Sequence, residues 1–281
     1  MRLTRGDTAL VTGASRGLGV HAARALARRG LNLVLAARSR DGLEKVAGEL
    51  RGLGVEVLPV RCDVTDAAAL ESLVAAAHSR FGAIDVLVNN AGIEDSLRFD
   101  RVRPEDLRRA IEVNLTAPML LTQRVLPGML ERGRGHVVNV ASMAGLIGSP
   151  YNESYVATKH GLVGFTRALR ASAQDLGWPI SASAICPGFM DGAGIYEDMK
   201  RDFGVTAPAG MGSIDAEELG DAVIRAVERD LPDVLLMRNA PRLAVTLHSL
   251  APRLVERVTR LLNLNALFRD IARQRLAADE R

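Results

Sequence analysis

Residues 8–19 read TALVTGASRGLG, and the reading of this stretch decides the fold. An apolar and β-branched run ends at Gly13, and a helical pattern over 17–29 begins a few residues later. Gly13, Gly17 and Gly19 let the chain turn tightly and bring its backbone against a ligand. The helix that follows presents free N–H groups and a partial positive charge, a natural seat for a pyrophosphate. Ser15, Arg16 and Leu18 lie inside the same turn and join the glycines as candidate cofactor-binding residues. The spacing is G-x3-G-x-G. It is neither the G-x-G-x-x-G fingerprint nor a Walker loop, since no GK[ST] follows. A glycine-rich turn after a strand is often a loop with no ligand. Its place at the first strand–helix junction of an alternating chain favours cofactor binding.

Outward from that turn, short apolar runs alternate with longer helical patterns. Strands are predicted at 8–13, 31–38, 55–62, 84–92, 135–142, 180–188 and 233–238, and helices at 17–29, 41–52, 66–80, 104–131, 154–176 and 215–230. Several strands are apolar on both faces, as in parallel sheets covered by helices. Pro104, Glu105 and Asp106 place a proline and two acids in a first helical turn. The expected fold is α/β: a doubly wound, mostly parallel seven-stranded Rossmann sheet with helices on both faces, plus a C-terminal helical extension. Right-handed crossovers bring every strand's carboxyl end to one edge, where ligands bind. Residues 1–240 form one dinucleotide-binding and catalytic domain in this reading, and 241–281 the extension.

Composition excludes other classes. Of 281 residues 48% are hydrophobic and 25% charged, ordinary for a globular protein and unlike a disordered chain. Two cysteines, Cys62 and Cys186, make no disulfide framework, and five scattered histidines write no metal site. No apolar run is long enough to span a membrane, and the N-terminus lacks a signal-peptide core, so a cytoplasmic location is expected. The net charge of +3 comes from arginines interleaved with acids along helices, which argues against nucleic acid as a partner.

Tyr155 and Lys159 are four residues apart, so on a helix over 154–176 they share a face. An ammonium near a phenol favours the phenolate and lowers its pKa from about 10. Such a hydroxyl can exchange a proton with an alcohol or carbonyl. Ser142 ends the fifth predicted strand, at the ligand edge, where a neutral hydroxyl can hold a carbonyl oxygen.

Strand–TGASRGLG–helix, followed by Asn89-Asn90-Ala91-Gly92, Asn114, Ser142, Tyr155-Val156-Ala157-Thr158-Lys159 and Pro187-Gly188, resembles the short-chain dehydrogenase/reductase family over roughly 5–238. The resemblance implies hydride transfer between a nicotinamide cofactor and a carbonyl or alcohol carbon of a small-molecule substrate. Tyr155 is then the acid/base, Lys159 its partner and a ribose ligand, Ser142 the group that orients the substrate oxygen. Asn114 is implied to kink its helix and to complete a proton relay. Asp63, Val64, Asn90, Ala91, Gly92, Pro187 and Gly188 are implied cofactor contacts, with Asp63 on the adenine; Asp63 and Val64 can also be read as a simple cap. The family often has a threonine four residues after the glycine of Pro187-Gly188; this chain has Gly192, and a backbone N–H there is one substitute. A homodimer or homotetramer through helices 104–131 and 154–176 is implied as well.

The second strand ends without an acid before Asp41, whereas Arg38 suits a 2′-phosphate. Arg16 resembles the second basic residue of family members that prefer NADP. NADP(H) is therefore expected over NAD(H), with an NAD-using enzyme, or a non-catalytic dinucleotide-binding member, as alternatives.

Residues 189–213 hold Gly192, Gly194, Gly204, Gly210 and Gly212 among Phe189, Met190, Ile195, Tyr196, Met199 and Phe203. They read as a mobile lid with an apolar lining, and so an apolar substrate. A 3-oxoacyl-carrier-protein-type reductase is the alternative, with Arg132, Arg134, Arg167 and Arg170 meeting an acidic carrier. In the extension, Leu247, Leu250, Leu254, Val258 and Leu261 form an amphipathic stripe beside Arg253, Arg257 and Arg260, broken at Pro252. The stripe is expected to pack against the protein or a second subunit, with contact to an anionic membrane surface the less favoured reading.

Overall fold

A computed structural model describes residues 1–208, 211–239 and 241–279. From the N-terminus the chain runs β1 (Thr8–Thr12), α1 (Leu18–Arg28), β2 (Asn32–Ala37), α2 (Arg40–Arg51), β3 (Val57–Arg61), α3 (Ala67–Phe81) and β4 (Val86–Asn89). Then come α4 (Pro104–Ile111), a π-helical turn (Glu112–Thr116) and α5 (Ala117–Glu131), one continuous helical path. β5 (Gly135–Val140), α6 (Glu153–Asp175) and β6 (Ile180–Pro187) follow, then β7 (Met190–Asp191), α7 (Ile195–Phe203), β8 (Ile214–Asp215), α8 (Glu217–Glu228) and β9 (Asp233–Leu236). The extension is three helices: α9 (Pro241–Leu250), α10 (Pro252–Leu261) and α11 (Ala266–Asp279).

All seven predicted strands enter one parallel sheet, in the order β3-β2-β1-β4-β5-β6-β9. The order reverses between β1 and β4, which opens a crevice at their carboxyl ends. One face is covered by α1, α2 and α8, through Leu26, Leu43, Leu50, Leu219 and Val223. α3, α5 and α6 cover the other through Leu70, Leu73, Leu121, Val125 and Ala173. Each fully buried leucine contributes about 1.5–3 kcal/mol relative to exposure, so the two layers hold the sheet rigidly under the site. Local signals agree: Asp66 caps α3 by accepting from the N–H groups of Ala68 and Ala69, and Gly82, at φ 73°, ends it.

The structure departs from the sequence reading in three places. Asn90, Ala91 and Gly92, read as strand, form a loop beyond β4. The 189–213 segment is built around the pair β7–β8 and α7, and its Gly210 lies outside the described residues. Met190, Ile195 and Tyr196 of this segment line the cleft at the sheet edge, as an apolar lining requires. Tyr196, Met199 and Val205 pack with Leu267 and Ile271 of α11, joined by Phe189, Phe203 and Phe268. Finally, the extension docks through α11 and not through the expected stripe. Leu247, Leu250, Leu254, Val258 and Leu261 are all exposed, Leu250 by 79% and Leu261 by 83%. α11 offers a denser apolar face (Leu267, Phe268, Ile271, Ala272), and burial of that face outcompetes burial of the stripe.

Candidate active site

A cleft of about 640 Å³ opens at the carboxyl edge of the sheet. Of the predicted cofactor-binding residues, Gly13, Ser15, Arg16, Gly17, Leu18, Arg38, Asp63, Val64, Asn90, Ala91, Gly92, Tyr155, Lys159, Pro187 and Gly188 line it, separated by up to 175 positions in sequence. Gly19 does not. It sits one layer behind, where a Cβ would fall 2.4 Å from the Gly13 oxygen and 2.6 Å from Asn90 Nδ2. Gly13 has φ 66°, and a Cβ there would meet Ala91 Cα at 2.9 Å. The first turn is therefore pressed against the loop after β4, leaving its backbone bare toward the cleft at the start of α1. That is the cradle a pyrophosphate needs.

Thr12, which the sequence reading passes over, locks the two loops together. Its Oγ1 accepts from the N–H groups of Asn90 (3.0 Å) and Ala91 (3.1 Å), and Asn90 Nδ2 donates to the Thr12 carbonyl at 3.0 Å. A threonine closing an otherwise apolar strand just before the glycine was the available signal. Below it, Asn89, Asn139 and Thr166 form a buried hydrogen-bonded chain between β4, β5 and α6, with Asn89 donating to Asn139 and Asn139 to Thr166, each at 2.8 Å.

Asp63 lines the cleft and also makes the turn its neighbours require. Its Oδ1 accepts from the N–H and hydroxyl of Thr65 at 3.1 and 2.9 Å, and these bonds hold its pKa below the usual carboxylate range. Both readings of this residue are compatible with that geometry. Arg38 is exposed at the rim beside Arg61, whose Nε donates to the Arg38 carbonyl. Arg16 is placed differently: Nη1 lies 2.6 Å from Asp198 Oδ2, bridging the first turn to α7 across the cleft. An exposed pair of this kind contributes about 0–1 kcal/mol, so Arg16 is readily exchanged to another anion. Gly192 has φ 85°, and its N–H donates to Glu197 at 3.0 Å, so this N–H does not stand in for the missing threonine.

Of the four predicted catalytic residues, Ser142, Tyr155 and Lys159 lie at the inner end of the cleft and Asn114 is buried behind Gly92. Tyr155 and Lys159 are one turn apart on α6, with Nζ 5.5 Å from the ring centre and donating to the Val140 carbonyl at 2.9 Å. Ser142 lines the cleft with Tyr155; its Oγ donates to the Pro187 carbonyl at 3.4 Å and accepts from the Ala144 N–H at 3.1 Å. Asn114, fully buried in the π-helical turn, donates to the Ile93 carbonyl (2.9 Å) and Thr158 Oγ1 (3.2 Å) and accepts from Ile93 N–H (2.9 Å). It does not line the cleft, but a Cβ on Gly92 would sit 3.3 Å from its Oδ1 and 3.5 Å from Lys159 Nζ. The electrostatics reverse one expectation. Burial raises the Tyr155 pKa above its ordinary value, and the same burial pushes Lys159 down to about 8. Desolvation of each group sets the direction of its shift.

The short chain dehydrogenase family model matches residues 7–202. The chain belongs to this family. This short-chain dehydrogenase/reductase is an oxidoreductase acting on carbonyl or alcohol groups with a nicotinamide dinucleotide. Among its relatives, the ketoacyl reductase HetN of Nostoc sp. is 35% identical over 266 residues, covering 92% of this chain and 90% of the relative. A putative ketoacyl reductase of Streptomyces coelicolor is 43% identical over 187 residues, covering 66% and 71%. Among solved structures, a short-chain dehydrogenase/reductase from Burkholderia phymatum in complex with NAD superposes with TM-score 0.81 at 26% identity, covering 90% of this chain and 96% of that one. The actinorhodin polyketide ketoreductase with NADPH gives 0.75 at 32% identity, covering 83% and 97%.

Proposed function

We propose that the enzyme reduces a carbonyl group on a largely apolar substrate, using NADPH in preference to NADH. The observation that carries the reading is the shared cleft, which brings Tyr155, Ser142 and Lys159 to the glycine turn of β1 and places the Tyr155 hydroxyl where it can serve as the general acid of reduction. Ser142 lines the cleft beside the same hydroxyl, so a substrate oxygen between the two meets two donors as negative charge develops on it. Lys159 carries the positive charge behind Tyr155, and Asn114 holds the loop at Ile93 that faces it. The nicotinamide supplies the hydride when bound. Gly13, Gly17 and Leu18 hold its pyrophosphate, and Asp63 and Val64 its adenine end. Arg38, with no acid beside it at the end of β2, takes the 2′-phosphate. The ketoacyl reductases among the relatives, and a neighbour solved with NADPH, are consistent with this assignment. Assembly through α4–α5 and α6 fits the exposure of Ile111 and Met119 on that helical path.

The alternative, a 3-oxoacyl-carrier-protein-type reductase, is equally consistent with the 3-oxoacyl-[acyl-carrier-protein] reductases among the relatives. Of the arginines that would meet an acidic carrier, Arg132 bonds the Ile84 carbonyl, Arg134 pairs with Asp7, Arg167 with Asp233 and Arg170 with Asp230. The test is a panel of β-ketoesters, cyclic ketones and thioester-linked ketoacyl groups with NADPH or NADH, followed by loss of reduced-nicotinamide absorbance. Turnover of apolar free ketones with NADPH is expected. Turnover confined to carrier-linked substrates, or faster with NADH, overturns the respective part of the reading.

A further inference from the structure

The face that the extension leaves uncovered is built for a particular environment. Among the described residues twelve large hydrophobic side chains are exposed, and seven fall between positions 243 and 262: Leu243, Leu247, Leu250, Leu254, Val258, Leu261 and Leu262. On α9, Leu243, Leu247 and Leu250 recur at four- and three-residue steps along one side. The opposite side carries Val245, which with Leu235 and Met237 packs against the buried cluster of Met143, Leu162 and Val163 and so fixes α9 to the main domain. On α10, Leu254, Val258 and Leu261 repeat the pattern, with Arg253, Arg257 and Arg260 along the adjoining face. Arg242, Arg253, Arg257 and Arg260 are exposed, and none has an ion-pair partner among the described residues. This contrasts with the four engaged arginines of the main domain.

A patch of this size on a globular protein marks an interaction surface. Its charge selects the occupant. Glu256 is the one acid between 241 and 262, so two copies meeting face to face on this patch bring two arginine rows together, which is repulsive. A surface that is apolar inside and anionic at its boundary matches both halves of the pattern. α10 is ten residues, about 15 Å long, and no described helix is long and apolar enough to cross a membrane. The pair is suited to lie in the interface plane.

We infer that α9 and α10 seat the enzyme on an anionic lipid bilayer, with the leucine stripe among the acyl chains and the arginines at the headgroup level. The reading is independent of the substrate and cofactor assignments.

The test is co-sedimentation of the full chain with phosphatidylglycerol-containing vesicles and with pure phosphatidylcholine vesicles, beside light scattering without lipid. Strong sedimentation with the anionic vesicles, weak sedimentation with the neutral ones and release by salt are expected. Each of Arg253→Gln, Arg257→Gln and Arg260→Gln should weaken binding about fivefold. Leu250→Glu with Leu254→Glu should abolish it while leaving turnover of a soluble ketone unchanged. Absence of sedimentation with anionic vesicles overturns the proposal, as does sedimentation that none of these variants alters. A particle mass that halves in the Leu250→Glu, Leu254→Glu variant assigns the stripe to a second copy. Capture of an acidic carrier protein without vesicle binding assigns it to a protein partner. Either result overturns the membrane reading.

Discussion

Arg275 of α11 places its guanidinium 3.6 Å from Oε2 of Glu94, a carboxylate with 3% side-chain exposure in the loop after β4. The same guanidinium donates to the Ser96 carbonyl at 3.0 Å and lies over the Phe203 ring, while Ser96 Oγ hydrogen-bonds Glu94. One arginine thus ties the C-terminal helix to α7 and to the loop bordering the predicted catalytic residues. Burial pushes the Glu94 pKa up and Arg275 opposes it; the charge on Glu94 in turn helps raise Tyr155.

Arg275→Gln should therefore leave a buried carboxylate with a single neutral partner. Loss of about 1–3 kcal/mol is expected, read as a fall in Tm of about 2–4 °C per kcal/mol. Adding Glu94→Gln should recover most of it, because a neutral amide no longer needs the cation. An unchanged Tm in the single variant, or a double variant weaker than the sum of both, removes the latch from the account.

Tyr155→Phe should lower kcat about 10²–10⁴-fold, the worth of a positioned acid, with cofactor titration nearly unaltered. Retention of a tenth of the activity contradicts the assignment.

Lys159, with its pKa pushed down to about 8, loses its ammonium as pH rises through that value. Reductive kcat/KM should then fall above about pH 8, and Lys159→Met should be slow at every pH. A wild-type profile flat from pH 6 to 10 counts against it.

The parts of the site that are legible in sequence rest on local or rare signals. The β1 turn is read from three glycines in seven positions, and the pair Tyr155–Lys159 stands out among three tyrosines and three lysines. What is not legible depends on distant partners. Asp198 meets Arg16 from 182 positions away, and nothing near Arg16 announces it. The docking of α11 was readable in part, since Leu267, Phe268, Ile271 and Ala272 share a helical face. The better-formed leucine stripe upstream was the stronger pattern, and periodicity alone does not say which of two apolar faces finds a partner. Tyr155 shows the same limit for charge: spacing places the ammonium near the phenol, but burial, a tertiary property, sets the direction of the shift.

Arg38→Asp tests cofactor choice. A charge-assisted contact to phosphate is worth roughly 1.5–3 kcal/mol, so the variant should bind NADPH about ten- to a hundredfold more weakly and gain affinity for NADH. Equal affinities for both cofactors in the unmutated enzyme refute the arginine argument. Arg16→Gln should have a smaller effect, because Asp198 competes with the phosphate for its guanidinium.

His136 makes a prediction about acid stability. It lies fully buried in β5, with Nε2 2.8 Å from Ser183 Oγ and Nδ1 without a partner. Protonation would place a second N–H against no acceptor, and burial accordingly pushes the imidazole pKa down to about 3. The unfolded chain takes up this proton near pH 6.5 and the native one does not, so stability is lost as pH falls below about 6.5 and continues to fall toward 3. One such group contributes a slope of about 1.4 kcal/mol per pH unit. Urea unfolding at pH 7, 6, 5 and 4 should show this slope in the wild-type enzyme, and His136→Gln should be shallower by one proton's worth whatever its stability at pH 7. Identical slopes in the two proteins mean that His136 is charged in the native state or has found a second partner.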